Sequence, residues 1–190
     1  MFKRALLLAS LICFSWSAMA NTQVLMKTNQ GDVTLQLFDD KAPKTVKNFL
    51  DYVKAGYYEG TVFHRVIPGF MIQGGGFDAK LAKKETRPAV ENEADNRISN
   101  KRGTIAMART NDPHSATSQF FINQANNSNL NFREKTARAW GYTVFGRVIK
   151  GMSTVDTIAQ LPTGAGGRFR KDVPRKPVII EKIIIIETSK

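Results

Sequence analysis

Cysteine is all but absent: Cys13 is the only one in 190 residues. A disulfide framework is therefore excluded. Histidine is nearly as scarce, and His64 and His114 stand far apart, so the chain lacks the clustered His/Cys spacing that zinc requires. Ser115 and Ser118 could pair with a histidine only without a Gly-x-Ser-x-Gly elbow, which the chain does not contain. Gly74-Gly75-Gly76 and Gly164–Gly167 invite a phosphate-loop reading. Neither leads into Gly-Lys-Ser/Thr or has the strand–Gly-x-Gly-x-x-Gly–helix context, so both are expected to be turns with positive φ. No metal or cofactor is implied.

Acidic residues are also in short supply, with 16 Asp and Glu against 28 Lys and Arg. The bases are scattered over Lys80–Arg87, Lys101–Arg102, Arg133–Arg138 and Arg168–Lys176 without interleaved aromatics or a nucleic-acid motif. A soluble, positively charged surface is the favoured reading, and no nucleic-acid partner is expected. The apolar stretch Ala5–Phe14 follows Lys3 and Arg4 and precedes Ala18-Met19-Ala20, the pattern of a signal peptide. A membrane anchor would need roughly 20 apolar residues, and Ser10, Ser15 and Ser17 interrupt this one. Residues 1–20 are read as a signal peptide cleaved before Asn21. The expected location is the periplasm, with secretion to the exterior as the alternative and no stable membrane insertion. Lys3 and Arg4 are the only charged residues in that segment, so cleavage leaves 26 bases against 16 acids, a net charge of +10. It also removes Cys13, so the mature domain, residues 21–190, must rely on its core.

That core is written in short alternating runs. Gln23–Thr28 and Asp32–Phe38 read as strands joined by Asn29-Gln30-Gly31, and Val33, Leu35 and Leu37 alternate with polar residues. Pro43 opens a helix to Ala55 with Val46, Phe49, Leu50 and Val53 on one stripe and Gly56 as its stop. Thr61–Ile67, Phe70–Gln73, Gly103–Ala108, Gln119–Ile122, Thr143–Val148 and Pro177–Glu187 read as strands, and Met152–Gln160 as a second helix. No repeat or linker divides the chain. Many short strands with two isolated helices predict a mainly β fold, one closed barrel with helices over its ends.

Two segments concentrate unusual side chains. Phe63-His64-Arg65-Val66-Ile67-Pro68-Gly69-Phe70-Met71-Ile72-Gln73-Gly74-Gly75 sets one cation and one amide among large apolar groups, and Thr117-Ser118-Gln119-Phe120-Phe121-Ile122 adds another amide and an aromatic pair. The first resembles the FHRVIPGFM-x-QGG signature of the cyclophilins. Gly103–Asn123 resembles that family's second active-site segment, and the similarity runs from about Val24 to the C-terminal strand. The resemblance implies an eight-stranded antiparallel barrel capped by two helices. It also implies peptidyl-prolyl cis–trans isomerase activity on unfolded or extended proline-containing polypeptides, with a monomer as the expected state.

By the same resemblance Arg65 is the catalytic donor. Phe70, Met71, Phe121 and Leu130 line the proline pocket, Gln73 and Gln119 bond the substrate backbone or orient Arg65, and Ala108 and Arg109 form the groove edge. Tyr142 stands where histidine is common and would provide an aromatic wall. Asn129 falls where tryptophan is common, which puts cyclosporin binding in doubt, unless an inserted Phe132–Ala139 loop folds back so that its Phe132, or Trp140 directly after the loop, substitutes. If Thr61–Ile67 is regular, His64 points away from Arg65 as a hydrogen-bonded core residue, and His114 belongs to a loop. The competing readings are a groove that holds clients without turnover and a basic envelope-surface binder.

Overall fold

The computed structural model describes residues 21–186. The segment read as a signal peptide and Glu187, the expected end of the last strand, lie outside them. The strands are β1 (Gln23–Thr28), β2 (Gly31–Leu37), β3 (Thr61–Ile67), β4 (Met71–Asp78), β5 (Thr104–Met107), β6 (Phe120–Asn123), β7 (Val144–Lys150), β8 (Thr163–Gly166), β9 (Phe169–Pro174) and β10 (Ile179–Ile186). Helix α1 (Pro43–Lys54) lies between β2 and β3, and α2 (Met152–Ala159) between β7 and β8. Eight strands close an antiparallel barrel in the order β1-β10-β3-β4-β6-β5-β7-β2, and β8 and β9 form a separate hairpin. The barrel and its two helices are as the sequence implied.

The two-residue period decides what fills the barrel. Val24 pairs with Leu35 and Met26 with Val33 across β1 and β2, and all four are buried in one cluster. Phe63, Ile72, Ile105, Phe120, Ile122 and Phe145 join it from the other strands, as do Val46, Phe49 and Tyr52 of α1 and Val155, Ile158 and Ala159 of α2. Pro43 opens α1, and Ala42 offers no capping side chain. The carboxylate of Glu93 caps it instead, accepting the backbone N–H groups of Lys44 at 3.1 Å and Thr45 at 2.8 Å.

Because Phe120 and Ile122 face inward, Phe121 must face out. Met71, Ala106 and Val144 do the same, and these four form a second buried cluster on the outer wall, with Phe70, Leu130 and Tyr142 against it. The register places Phe121 between Gln73 of β4 and Ala106 of β5.

The glycine runs are not the turns expected. Gly74, Gly75 and Gly76 lie inside β4, and only Gly75 has a positive φ, +80°. They are glycines because aromatic and amide groups occupy the space of a side chain. A Cβ on Gly75 would lie 2.8 Å from Phe120 and 2.9 Å from Tyr58, and one on Gly76 2.4 Å from Gln119 Cγ. In the second run Gly164 and Gly166 belong to β8 and only Gly167 turns, at φ +50°. The β8–β9 hairpin is thus an element the periodicity did not predict. Gly75→Ala combines a strained φ with overpacking and should destabilise by about 2–4 kcal/mol. Urea denaturation measures this, and a loss below about 1 kcal/mol would show that the rings yield freely.

Candidate active site

The outward cluster forms the floor of a cavity of about 460 Å³. Arg65, Phe70, Met71, Gln73, Ala108, Arg109, Gln119, Phe121, Leu130 and Tyr142, all named from sequence, line it together. They come from β3, β4 and β6 and from the loops beside them, including the turn Ser128–Leu130. Met71 and Phe121 are buried in the floor, and the Phe121 and Tyr142 rings meet edge to face with centroids 5.6 Å apart.

A bulge in β3 orients the cation. Pairing steps from Phe63↔Gly74 to Arg65↔Gln73, so β3 carries one extra residue, His64. Phe63 and Val66 both enter the core, and His64 and Arg65 both turn to the cavity. His64 therefore does not point away from Arg65, as a regular strand would require. The guanidinium of Arg65 is loosely held: Nη1 donates to Gln73 Oε1 at 3.5 Å and Nε lies 4.0 Å from Asp172 Oδ2. Both are at the outer limit of such contacts. Gln73 Nε2 donates to Gln119 Oε1 at 3.0 Å, linking the amides of β4 and the segment before β6.

Arg109 is fixed more firmly. Its Nε donates to Gly141 O at 2.9 Å, its Nη1 to Thr110 O at 2.8 Å, and the guanidinium carbon lies 4.7 Å from the Tyr142 ring centroid. Asn92 holds that wall from behind, donating to the carbonyls of Gly141 and Pro113 and accepting from Thr143 Oγ1. Asn129 is exposed on the rim of a second cavity, beyond Leu130 and Tyr142. Trp140 does not take its place: its Nε1 donates to Asn92 O and its ring packs on His114 at 4.6 Å. Neither Trp140 nor Phe132 lines the main cavity.

His64 is buried as expected, but its Nδ1 has no hydrogen-bond partner. The ring packs on Phe77 at 4.5 Å and Phe169 at 5.3 Å. Burial pushes its pKa down to about 4; the Val62 backbone bond opposes this and the Arg65 charge adds to it. At neutral pH the ring is uncharged and does not serve as an acid. Sequence reasoning missed Phe77, Lys83, Arg168, Phe169 and Asp172. The usable signal was Gly166-Gly167 between β-capable residues, a hairpin connection that swings β9 against β3.

Among the described residues no cluster of His, Cys, Asp or Glu could hold a metal ion. A cation and two amides thus stand over an apolar pocket on the outer wall of a closed antiparallel barrel. Residues 23–185 match the Cyclophilin type peptidyl-prolyl cis-trans isomerase/CLD family. The chain is 53% identical over 164 residues to peptidyl-prolyl cis-trans isomerase B of Escherichia coli, covering 86% of this chain and 99% of that protein. It is 52% identical to peptidyl-prolyl cis-trans isomerase A of Dickeya dadantii, covering 94% and 93%. A Cryptosporidium parvum cyclophilin-type isomerase, solved in the presence of the dipeptide Ala-Pro, superposes with a TM-score of 0.70 at 30% identity, covering 87% of this chain and 99% of that one. The chain belongs to the cyclophilin-type peptidyl-prolyl cis-trans isomerases and is an enzyme of that class.

His64 has a stability consequence. Its folded pKa lies below the ordinary 6.5, so the stability it contributes is fully present above pH 6.5 and is lost as pH falls toward 4. The loss should reach roughly 3 kcal/mol. His64→Gln should flatten that part of the stability–pH curve in denaturant titrations, and an unchanged slope would refute the assignment.

Proposed function

We propose that this enzyme isomerises X–Pro bonds in unfolded or extended proteins of the cell envelope, with Arg65 as the catalytic donor. The supporting observation is a loosely held guanidinium beside the apolar floor of Met71 and Phe121. Resonance in the X–Pro amide sets a rotation barrier of roughly 18–20 kcal/mol. Twisting breaks that resonance and leaves a lone pair on the prolyl nitrogen. An N–H of Arg65 can donate to this lone pair only once conjugation is lost, so the bond stabilises the transition state selectively. No bond to the enzyme forms and no proton is transferred.

In this reading Phe70, Met71, Phe121, Leu130 and Tyr142 hold the proline ring. The Gln73–Gln119 pair keeps an amide beside Arg65 and offers hydrogen bonds to the peptide. Ala108, whose N–H donates to Gln119 O at 2.9 Å, forms the groove edge beside the substrate backbone, and Arg109, committed to Gly141 and Tyr142, stiffens the wall. The N-terminal pattern of residues 1–20 supports export to the periplasm. N-terminal sequencing of the protein from a periplasmic fraction should begin at Asn21, and retention of Met1 would exclude cleavage.

Arg65→Ala should lower kcat/KM on a short X–Pro peptide by roughly 10²–10³, about 3–4 kcal/mol, with unchanged circular dichroism. Near-wild-type turnover by the folded variant would reject the mechanism. Phe121→Ala should weaken peptide binding by about 1.5–3 kcal/mol. If affinity holds and only the melting temperature falls, Phe121 is packing rather than pocket.

A further inference from the structure

The cavity extends beyond the groups that the proposed reaction uses. Four of its lining residues are cations, Arg65, Lys83, Arg109 and Arg168, and none is a carboxylate. Two of the four have other roles: Arg65 is the proposed catalytic donor, and Arg109 is bound to backbone carbonyls and the Tyr142 ring. Lys83 and Arg168 make no ion pair or side-chain hydrogen bond among the described residues. They flank a shelf of Phe77, Phe169 and His64, whose rings pack with centroids 4.5–5.3 Å apart.

Both cations are held in position by their backbones. Lys83 pairs with Phe77 across an isolated bridge, and the turn before it is fastened by Asp78, whose Oδ1 accepts the N–H groups of Lys80 and Ala82 at 2.9 Å. Arg168 sits at the tip of the β8–β9 hairpin, directly before Phe169. Asp172, the carboxylate on the other side, faces the Nε of Arg65.

We propose that this shelf is a specificity subsite for an acidic side chain of the substrate polypeptide, clamped between Lys83 and Arg168 over the aromatic rings. The inference rests on the reading of this cavity as the peptide-binding groove. Phe77 follows Gln73 by four positions, but β4 bulges between them: Gly74 to Asp78 covers only the length from Phe63 to Thr61 on β3, so Phe77 lies closer than the roughly 13 Å of a regular strand. An extended chain reaches it in about two to four residues. The favoured substrates therefore carry Asp or Glu about two to four positions from the proline. The neutral ring of His64 adds a polarisable face without adding charge.

The test is affinity, measured by titrating the mature protein with matched peptides. Each peptide carries Glu or Gln at the second, third or fourth position on either side of a single X–Pro bond. At low salt one Glu placement should bind roughly three- to tenfold more tightly than its Gln partner. The preference should shrink below about twofold in the Lys83→Gln/Arg168→Gln variant and in about 1 M salt. Equal affinities for Glu and Gln peptides at every placement, or a preference that persists undiminished in the double variant, would overturn the proposal. Turnover separates this inference from the mechanism. Equal affinities with Arg65-dependent turnover defeat only the subsite, and acid-selective binding with Arg65-independent turnover defeats only the catalytic assignment.

Discussion

The constraint from which the rest follows is that the barrel interior is already full. Phe49, Phe63, Phe120 and Phe145 meet there with the aliphatic side chains of every barrel strand and both helices. Native interiors are packed like crystals, so a barrel of this size has no room for a ligand inside. Whatever the molecule recognises must be met on the outer wall. Strand alternation then allots the residues: each inward ring on β6 obliges its neighbour to face out, and Phe121 becomes floor because Phe120 and Ile122 are core.

Alternation alone would have left the cation poorly accompanied. The single extra residue in β3 reverses parity between Phe63 and Val66 and presents two consecutive side chains to the cavity. One is the permanently charged Arg65 and the other the neutral His64, whose buried ring keeps water from that flank. Glycines perform the complementary task on β4. A side chain at Gly76 would collide with Gln119, and so would disturb the amide pair that flanks Arg65. The site is therefore set by backbone irregularities as much as by the groups that touch substrate.

Much of this was legible in the sequence. The barrel strands have strong two-residue periodicity, and the two motifs contain Arg65, Phe70, Met71, Gln73, Ala108, Arg109, Gln119 and Phe121 of the groove lining. What escaped was tied to exceptions in that periodicity. A bulge leaves no composition signal, so His64 was assigned to the wrong face. Gly74–Gly76 resembles a turn to any local reading, because the rings that exclude a Cβ come from Tyr58, Phe63 and Phe120, distant in the chain. The β8–β9 hairpin is short and largely polar, and its contribution of Phe169 and Asp172 to the groove depends on contacts with β3 that only the closed fold supplies.

β10 is the seam of the molecule, hydrogen-bonded to β1 along its length and to β3 through Ile179 and Ile180. Until that strand exists, β1 and β3 both present open edges. Joining the first and last strands spans almost the whole domain, so the entropic cost of loop closure falls at the end of folding. A polypeptide emerging N-terminus first can therefore close the barrel only once its final segment has arrived.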